Sequence, residues 1–177
     1  MGMVINGQIY RGKSGGAGEF GHIVVDTAGP LCDCGKHGCL ESYLSDRALL
    51  ATARKEVNED IRDFDDLVQR AQSGNKAAEN VLTNAGALLG REIANLVNIL
   101  YPKLILISGE GVRVGEIFFS ALRVSFHENV MPGLAEDTEI RVAPWGDDVW
   151  ARGAASVVIG ELFNSPMQKE ESAEKAR

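Results

Sequence analysis

The three cysteines of the chain lie within eight residues of one another, and this spacing constrains the fold more than any other feature of the sequence. Cys32, Cys34 and Cys39 follow His22 in the chain. One imidazole and three thiolates form a ligand set that closed tetrahedral Zn²⁺ sites use. Glycines stand between the thiols, where a loop around one ion must turn sharply, and glycine adopts positive φ without a Cβ penalty. The segment Glu19–Glu41 is therefore predicted to be a metal knuckle.

Other interpretations of the cysteines fit the sequence less well. Unrelated buried cysteines are usually scattered and have no need of flanking glycines. A disulfide framework is weaker still, because three thiols cannot all pair and the even number typical of small secreted domains is missing. A zinc hydrolase is also disfavoured, since four protein ligands leave no open position for a water molecule.

The knuckle segment closely resembles the ROK family of sugar kinases and sugar-responsive repressors. The resemblance is carried by the order GEFGH and then CDCGKHGCLE, which ends at Glu41. Members of the family carry an ExGH segment followed by a CxCGxxGCxE segment. The resemblance implies that a structural zinc is bound by His22, Cys32, Cys34 and Cys39.

The same resemblance implies that Glu19, His22 and Glu41 line a sugar pocket. A carboxylate has about four lone-pair sites, so it can accept hydrogen bonds from two neighbouring hydroxyls, and such charge-assisted bonds are strong. A metal-bound imidazole keeps its other nitrogen free to hydrogen-bond. For Glu41 the alternative is an acid in the first turn of the following helix, where the dipole favours it. The expected ligand is a hexose or a pentose.

Strand and helix patterns alternate along the chain and predict an α/β domain. A hairpin around Asn6-Gly7 is expected, with strands Met3–Ile5 and Gln8–Tyr10. Apolar periodicity predicts a helix that ends near Val57, a second helix over Phe64–Gln72 and a long helix over Asn75–Tyr101 with Asn75 as its N-cap. A further helix is expected from Val114 to Asn129, and a last helix, capped by Asp147 or Asp148, is expected to reach Phe163. Further strands are expected at Lys103–Ser108 and Glu139–Ala143.

Three packing expectations accompany these elements. The strand Lys103–Ser108 is apolar throughout, as in a sheet covered by helices on both faces. Gly86 and Gly90 share one face of the long helix and would allow close backbone packing there. The last helix is expected to pack through its alanines and through Val157, Val158 and Leu162.

The resemblance also gives these elements a place in a larger fold. ROK proteins belong to the actin-like, ribonuclease H-like ATPase superfamily, and residues 1–163 correspond to the carboxy-terminal lobe of that fold, truncated at its amino end. The other lobe holds the catalytic Asp and the first phosphate-binding segment. This chain is therefore not expected to be active as an enzyme by itself, and it contains no expected catalytic residue. Residues 164–177 cannot bury an apolar face and are predicted to be a disordered tail.

Two function classes follow from the resemblance. In kinases of this superfamily a strand ending in glycines contacts ATP, which by position implies Gly109 and Gly111. The residue between them is Glu110, whose carboxylate would repel phosphates. This departure and the segment GDDVWARGAASVV favour the sugar-sensing and dimerisation module of a transcriptional regulator. The alternative is the carboxy-terminal half of an ATP-dependent, glucokinase-like sugar kinase.

Composition limits the partners that this lobe is expected to have. A net charge of −7 argues against direct nucleic-acid contact, because phosphate contacts need clustered Lys and Arg. No apolar run approaches the roughly 20 residues of a membrane span, and the first residues do not form a signal segment. With the free thiols, these features predict a cytoplasmic protein. The family resemblance implies that its ligand is a small-molecule sugar and that it forms a homodimer.

Overall fold

The computed structural model describes residues 1–57, 60–143, 146 and 149–163, and the chain is mixed α/β as predicted. It divides into two units: Met1–Leu106 with Arg113–Arg141, and Ile107–Val112 with the described residues from Val142 onward. The strands are β1 (Val4–Ile5), β2 (Gln8–Ile9), β3 (Leu104–Ile107) and β4 (Glu139–Val142). The α-helices are α1 (Glu41–Leu44), α2 (Asp46–Glu56), α3 (Phe64–Gln72), α4 (Lys76–Leu100), α5 (Glu116–Asn129), α6 (Leu134–Asp137) and α7 (Val149–Phe163).

The first two strands form the predicted antiparallel hairpin. Val4 pairs with Ile9 at the open end of this hairpin. The turn residues Asn6 and Gly7 have φ values of 52° and 77°, as a two-residue turn with positive φ at both positions requires. The sequence therefore determines the register locally, because Asn and Gly tolerate this conformation best.

The helical pattern after Glu41 is interrupted at Ser45, which the sequence analysis did not predict. Ser45 is extended, and its Oγ accepts a hydrogen bond from the Ala48 N–H at 3.3 Å. Serine is among the preferred N-cap residues, so α2 starts afresh there instead of continuing α1. The helix α3 has the predicted bounds, and the Asp63 side chain caps it by accepting from the Asp66 N–H at 2.8 Å.

The core of the first unit is built on the packing of α4 against α5. Asn75 caps α4 as predicted, and the helix ends where Tyr101 turns left-handed before the proline. Gly86 and Gly90 lie against the α5 backbone, since a Cβ on either would collide with a carbonyl group of that helix. The predicted close approach is therefore confirmed. Buried side chains of these two helices include Val81, Leu82, Ile93, Val97, Phe118, Phe119, Leu122 and Phe126.

The strands β3 and β4 form a two-stranded parallel pair. Glu139 N–H donates to the Lys103 carbonyl at 3.0 Å, and Ala143 N–H donates to the Ile107 carbonyl at 2.9 Å. The expectation that β3 is buried on both faces is wrong, because its outward side chains, such as Leu106, remain exposed. An all-apolar strand indicates two covered faces only where helices lie over both of them.

The short helix α6 before β4 was not predicted.

The helix α7 has the predicted extent, but its expected packing is wrong for the side chains that the structure describes. Val157 is 46% exposed and Val158 is 58% exposed. The side chain of Leu162, the predicted caps at Asp147 or Asp148, and the tail 164–177 lie outside the described residues. A helix that is apolar all round predicts burial but does not identify the surface that buries it.

In the part of the chain that the structure describes, none of the helices is both long and apolar enough to cross a bilayer.

Candidate metal centre and its flanking carboxylates

One imidazole and three thiols meet in the knuckle at the start of the first unit. One ligand atom each from His22, Cys32, Cys34 and Cys39 lies within 4.8 Å of all the others. The Sγ atoms of Cys34 and Cys39 are 3.5 Å apart, and Cys32 Sγ lies 3.6 Å from His22 Nδ1. All three cysteines are free thiols, so the residues that the sequence analysis grouped come together without a disulfide.

Backbone hydrogen bonds shape the knuckle around these ligands. Cys32 N–H donates to the Lys36 carbonyl at 2.8 Å, which closes a tight turn with Cys34 near its tip. Gly35 has a φ of 86° within that turn. Gly38 has a φ of 69°, and a Cβ there would collide with the Asp26 backbone. The two glycines are therefore required for the turn, as the spacing predicted.

Two of the six ligand separations match the edges of a tetrahedral metal site. With Zn–S bonds of about 2.3 Å and Zn–N bonds of about 2.05 Å, tetrahedral angles place two sulfurs about 3.8 Å apart and a sulfur and a nitrogen about 3.6 Å apart. The observed Cys34–Cys39 separation of 3.5 Å and Cys32–His22 separation of 3.6 Å lie close to those edges. The cluster is therefore of a suitable size and chemistry for a Zn²⁺ ion, and no ligand atom needs to travel far to bind one.

The thiols of the cluster differ in acidity. The backbone N–H of Lys36 lowers the pKa of Cys34 to about 7. Desolvation by burial raises the pKa of Cys39 to about 11. Cys34 is exposed, whereas Cys39 is fully buried. A metal ion binds the thiolate form, so its binding is coupled to proton release from the buried thiol.

Two carboxylates flank the imidazole of the cluster. His22 Nδ1 lies 3.4 Å from Glu41 Oε2, and His22 Nε2 lies 3.8 Å from Glu19 Oε2. His22 and Glu19 belong to a short 3-10 turn, and Glu41 begins α1. The structure thus brings together all three residues that the resemblance assigned to a sugar pocket, and their role in binding sugar stays a prediction.

Contacts that the sequence analysis missed hold this arrangement together. Lys36 Nζ donates to the carbonyl oxygen of His22 at 2.7 Å. Tyr43 OH donates to Asp26 Oδ2 at 3.0 Å, which ties α1 to the knuckle, and Arg47 pairs with an exposed aspartate of the loop. Burial, together with the hydrogen bond to Asp26, raises the pKa of Tyr43. These pairs are 14 to 17 residues apart in sequence, so no local pattern could have revealed them.

The glycines predicted to contact ATP lie in the second unit. Gly109 has a φ of 114°, and a Cβ built on Gly109 or Gly111 would meet nothing within 4 Å. The residue between them, Glu110, is exposed. An approach of ligand to this backbone is sterically open, and the nucleotide role of the two glycines stays a prediction.

The fold and the site together define a mixed α/β domain with a metal-type Cys/His cluster beside paired carboxylates. The chain belongs to the ROK family, whose pattern matches residues 1–161. This confirms the family resemblance. ROK neighbours have the actin-like sugar-kinase fold, which agrees with the mixed α/β architecture.

Relatives of the chain include both regulators and kinases. The xylose repressor of Bacillus spizizenii is 31% identical over 167 residues, covering 93% of this chain and 42% of the repressor. The glucokinase of Halalkalibacterium halodurans is 32% identical over 188 aligned residues, covering 98% of this chain and 54% of the glucokinase. The crystal structure of the ROK hexokinase from Thermus thermophilus has a TM-score of 0.79 and 28% identity, over 92% of this chain and 54% of that one. The chain thus spans about half the length of these relatives.

Proposed function

We propose that this chain is the sugar-binding lobe of a ROK transcriptional regulator and that its Cys/His cluster holds a structural Zn²⁺ ion. The observation that carries the proposal is that the two ring nitrogens of His22 face different groups. Its Nδ1 lies 3.6 Å from the Cys32 thiol, and its Nε2 lies 3.8 Å from the Glu19 carboxylate. The same ring therefore connects the metal cluster to the carboxylates predicted to bind sugar.

The cluster would orient the imidazole for ligand binding. A bound Zn²⁺ ion would supply folding free energy and hold the coordinated imidazole in one orientation. In the chain itself, Lys36 Nζ holds the His22 carbonyl, so the backbone below the ring is fixed as well. With Nδ1 directed toward the thiols, Nε2 is available as a hydrogen-bond donor on the side of Glu19.

The carboxylates offer accessible acceptors for sugar hydroxyls. The Glu19 side chain is 70% exposed and the Glu41 side chain is 48% exposed. A carboxylate accepts from two neighbouring hydroxyls at once, so this pair suits a polyol ring with adjacent hydroxyl groups.

The regulator is favoured over the kinase by the sequence of the glycine turn. Glu110 places a negative charge between the two glycines that would contact ATP, and like charges about 4 Å apart repel by about 4 kcal/mol at an effective dielectric of about 20. The xylose repressor relative supports the same choice and suggests a pentose. The glucokinase relative supports the alternative, an ATP-dependent kinase whose remaining lobe provides the catalytic carboxylate.

Calorimetry on the full-length protein with xylose and with glucose tests the proposal. Glu41→Gln keeps the shape of the side chain but removes its charge, so we expect the affinity for the bound sugar to fall about tenfold or more. Glu136→Gln on α6 removes another exposed carboxylate far along the chain and should bind like the wild type. If Glu41→Gln binds the sugar with the affinity of the wild type, Glu41 is not part of the sugar site. Phosphorylation of the sugar by the wild-type protein with ATP would refute the regulator in favour of the kinase.

A further inference from the structure

We propose that the cluster is also an oxidation site, in which Cys34 is the thiolate that hydrogen peroxide attacks and Cys39 is the thiol that closes a disulfide with it. The inference deepens the proposed function, since it rests on the proposed metal cluster. Oxidation would release the metal ion and thereby lower the affinity for sugar. It is carried by the different exposure of the three thiols and by the distances between them.

Only one thiol of the cluster is open to solvent. Cys34 is exposed near the tip of its turn, whereas Cys32 is 5% exposed and Cys39 is 0% exposed. Oxidation of cysteine follows thiolate character and exposure, so a small oxidant reaches Cys34 first. The buried thiols are protected from direct attack by the same packing that forms the cluster.

Cys39 lies within reach of an oxidised Cys34. Their Sγ atoms are 3.5 Å apart, while Cys32 Sγ faces His22 Nδ1 at 3.6 Å. A disulfide has an S–S bond of about 2.05 Å, so the two sulfurs must approach by about 1.5 Å. A bridge from Cys34 to Cys32 would instead have to close across a single intervening residue.

The backbone between the two cysteines is suited to this small movement. Gly35 lies directly after Cys34, has a φ of 86° and has open space where a Cβ would be. Cys39, in contrast, is held by a β-bridge to Val24 and by burial. The exposed tip can therefore move toward the fixed thiol, which is the motion that disulfide closure requires.

The reaction balances with peroxide as the oxidant. The Cys34 thiolate attacks one peroxide oxygen, the O–O bond breaks, and Cys34 sulfenic acid and hydroxide form. The Cys39 thiolate then attacks the Cys34 sulfur, the S–O bond breaks, and a second hydroxide leaves. Two thiolates lose two electrons in total, and protonation of the hydroxides gives two molecules of water.

Closure of this disulfide removes two of the four ligands of the cluster. His22 and Cys32 alone cannot complete a tetrahedral site, so the metal ion is released. The imidazole then loses the metal that orients it between Glu19 and Glu41. Sugar affinity should fall together with the loss of the metal.

The experiment treats the full-length protein with a small molar excess of hydrogen peroxide. Zinc content is measured first, metal release is then followed with a chromogenic chelator, and the thiols are mapped by differential alkylation and mass spectrometry. We expect one zinc ion released for each disulfide formed, a bridge between Cys34 and Cys39, and an alkylatable Cys32. A bridge that includes Cys32, or three thiols that stay free under peroxide, would overturn the proposal.

The variant Cys34→His separates the oxidation site from the metal site. Histidine is itself a zinc ligand, so the variant offers two imidazoles and two thiolates, and its zinc should resist release by peroxide. Release at the wild-type rate would contradict a role for Cys34. Absence of zinc before oxidation would refute the metal part of the proposed function, and the disulfide map of the wild type would still decide whether Cys34 and Cys39 pair.

Discussion

Arg113 and Asp46 form an ion pair across 67 residues of sequence, with Arg113 Nη2 lying 2.5 Å from Asp46 Oδ2. The same guanidinium bonds Asp65 through Nε at 3.1 Å and lies over the Phe64 ring at 4.6 Å from its centroid. It therefore joins the amino-terminal ends of α2 and α3. Because α2 follows α1 directly, this contact also supports the helix that carries Glu41.

Arg113→Met is expected to lower the free energy of unfolding by about 1–2 kcal/mol, because it removes two ion pairs and a cation–π contact at a partly exposed site. Urea unfolding measures the loss. Arg123→Met is the matched control, since Arg123 makes an exposed pair with Glu116 on its own helix. That change should cost less than about 1 kcal/mol. Equal costs for the two variants would show that the Arg113 contacts add nothing beyond an ordinary surface pair.

Removal of the metal is expected to destabilise the knuckle. His22→Asn takes one ligand from the cluster, whereas His127→Asn changes an exposed histidine near the end of α5. We expect about one zinc ion per chain in the wild type and in His127→Asn, and a lower content with a lower unfolding temperature in His22→Asn. Elemental analysis and thermal unfolding give both values. Equal zinc contents in the two variants would exclude His22 as a ligand.

The contact of α4 with α5 depends on the absence of a side chain at Gly90. Gly90→Ala would drive a Cβ into the carbonyl group of Leu122, so we expect a loss of about 1–3 kcal/mol, the usual cost of overpacking. Gly153→Ala on α7 has open space around it and should leave the stability unchanged or raise it slightly. Denaturant unfolding of the two variants provides the comparison. A Gly90→Ala protein as stable as the wild type would mean that the helices are not closely packed there.

The carboxylate of Asp66 makes the free energy of unfolding depend on pH. The backbone N–H of Arg62, followed by the Arg70 and Arg62 side chains, holds the pKa of this buried group well below its usual value of 3.8. Because the folded pKa lies below the unfolded one, the contribution is present above about pH 4 and is lost as the pH falls through the folded pKa. Asp66→Asn should therefore be less stable at neutral pH and lose less on acidification.

Urea unfolding at neutral pH and at about pH 3 measures this dependence. Glu128→Gln removes an exposed carboxylate from α5 and should follow the wild-type curve. If Asp66→Asn and the wild type lose the same free energy between the two pH values, the acid sensitivity arises elsewhere.

Local patterns predicted several elements with nearly correct bounds. Asn6-Gly7 predicted the hairpin turn. The apolar periodicity of α3 and α4, together with the Asn75 cap of α4, predicted those helices. These features depend on residues a few positions apart, and their energetics act within one turn or one hairpin. The break at Ser45 was missed because the apolar pattern continues across it, although serine is itself an N-cap signal.

Packing predictions failed where the pattern did not identify a covering surface. An apolar β3 was interpreted as buried on both faces, and an apolar α7 as packed, yet Leu106, Val157 and Val158 are exposed. Hydrophobicity determines that burial of a surface stabilises the fold, but it does not determine which element covers that surface.

By itself, the sequence determined the chemistry of this protein: one imidazole, three thiols and two carboxylates, at spacings that glycine turns allow to converge. Only the tertiary structure decided that the His22 ring presents Nδ1 to the Cys32 thiol and to Glu41 and presents Nε2 to Glu19. It also decided that Cys34 is exposed while Cys39 is buried. Ligand type and spacing are local properties of the chain. Ring orientation and solvent exposure depend on contacts such as that of Lys36 with His22, which join residues that the sequence separates.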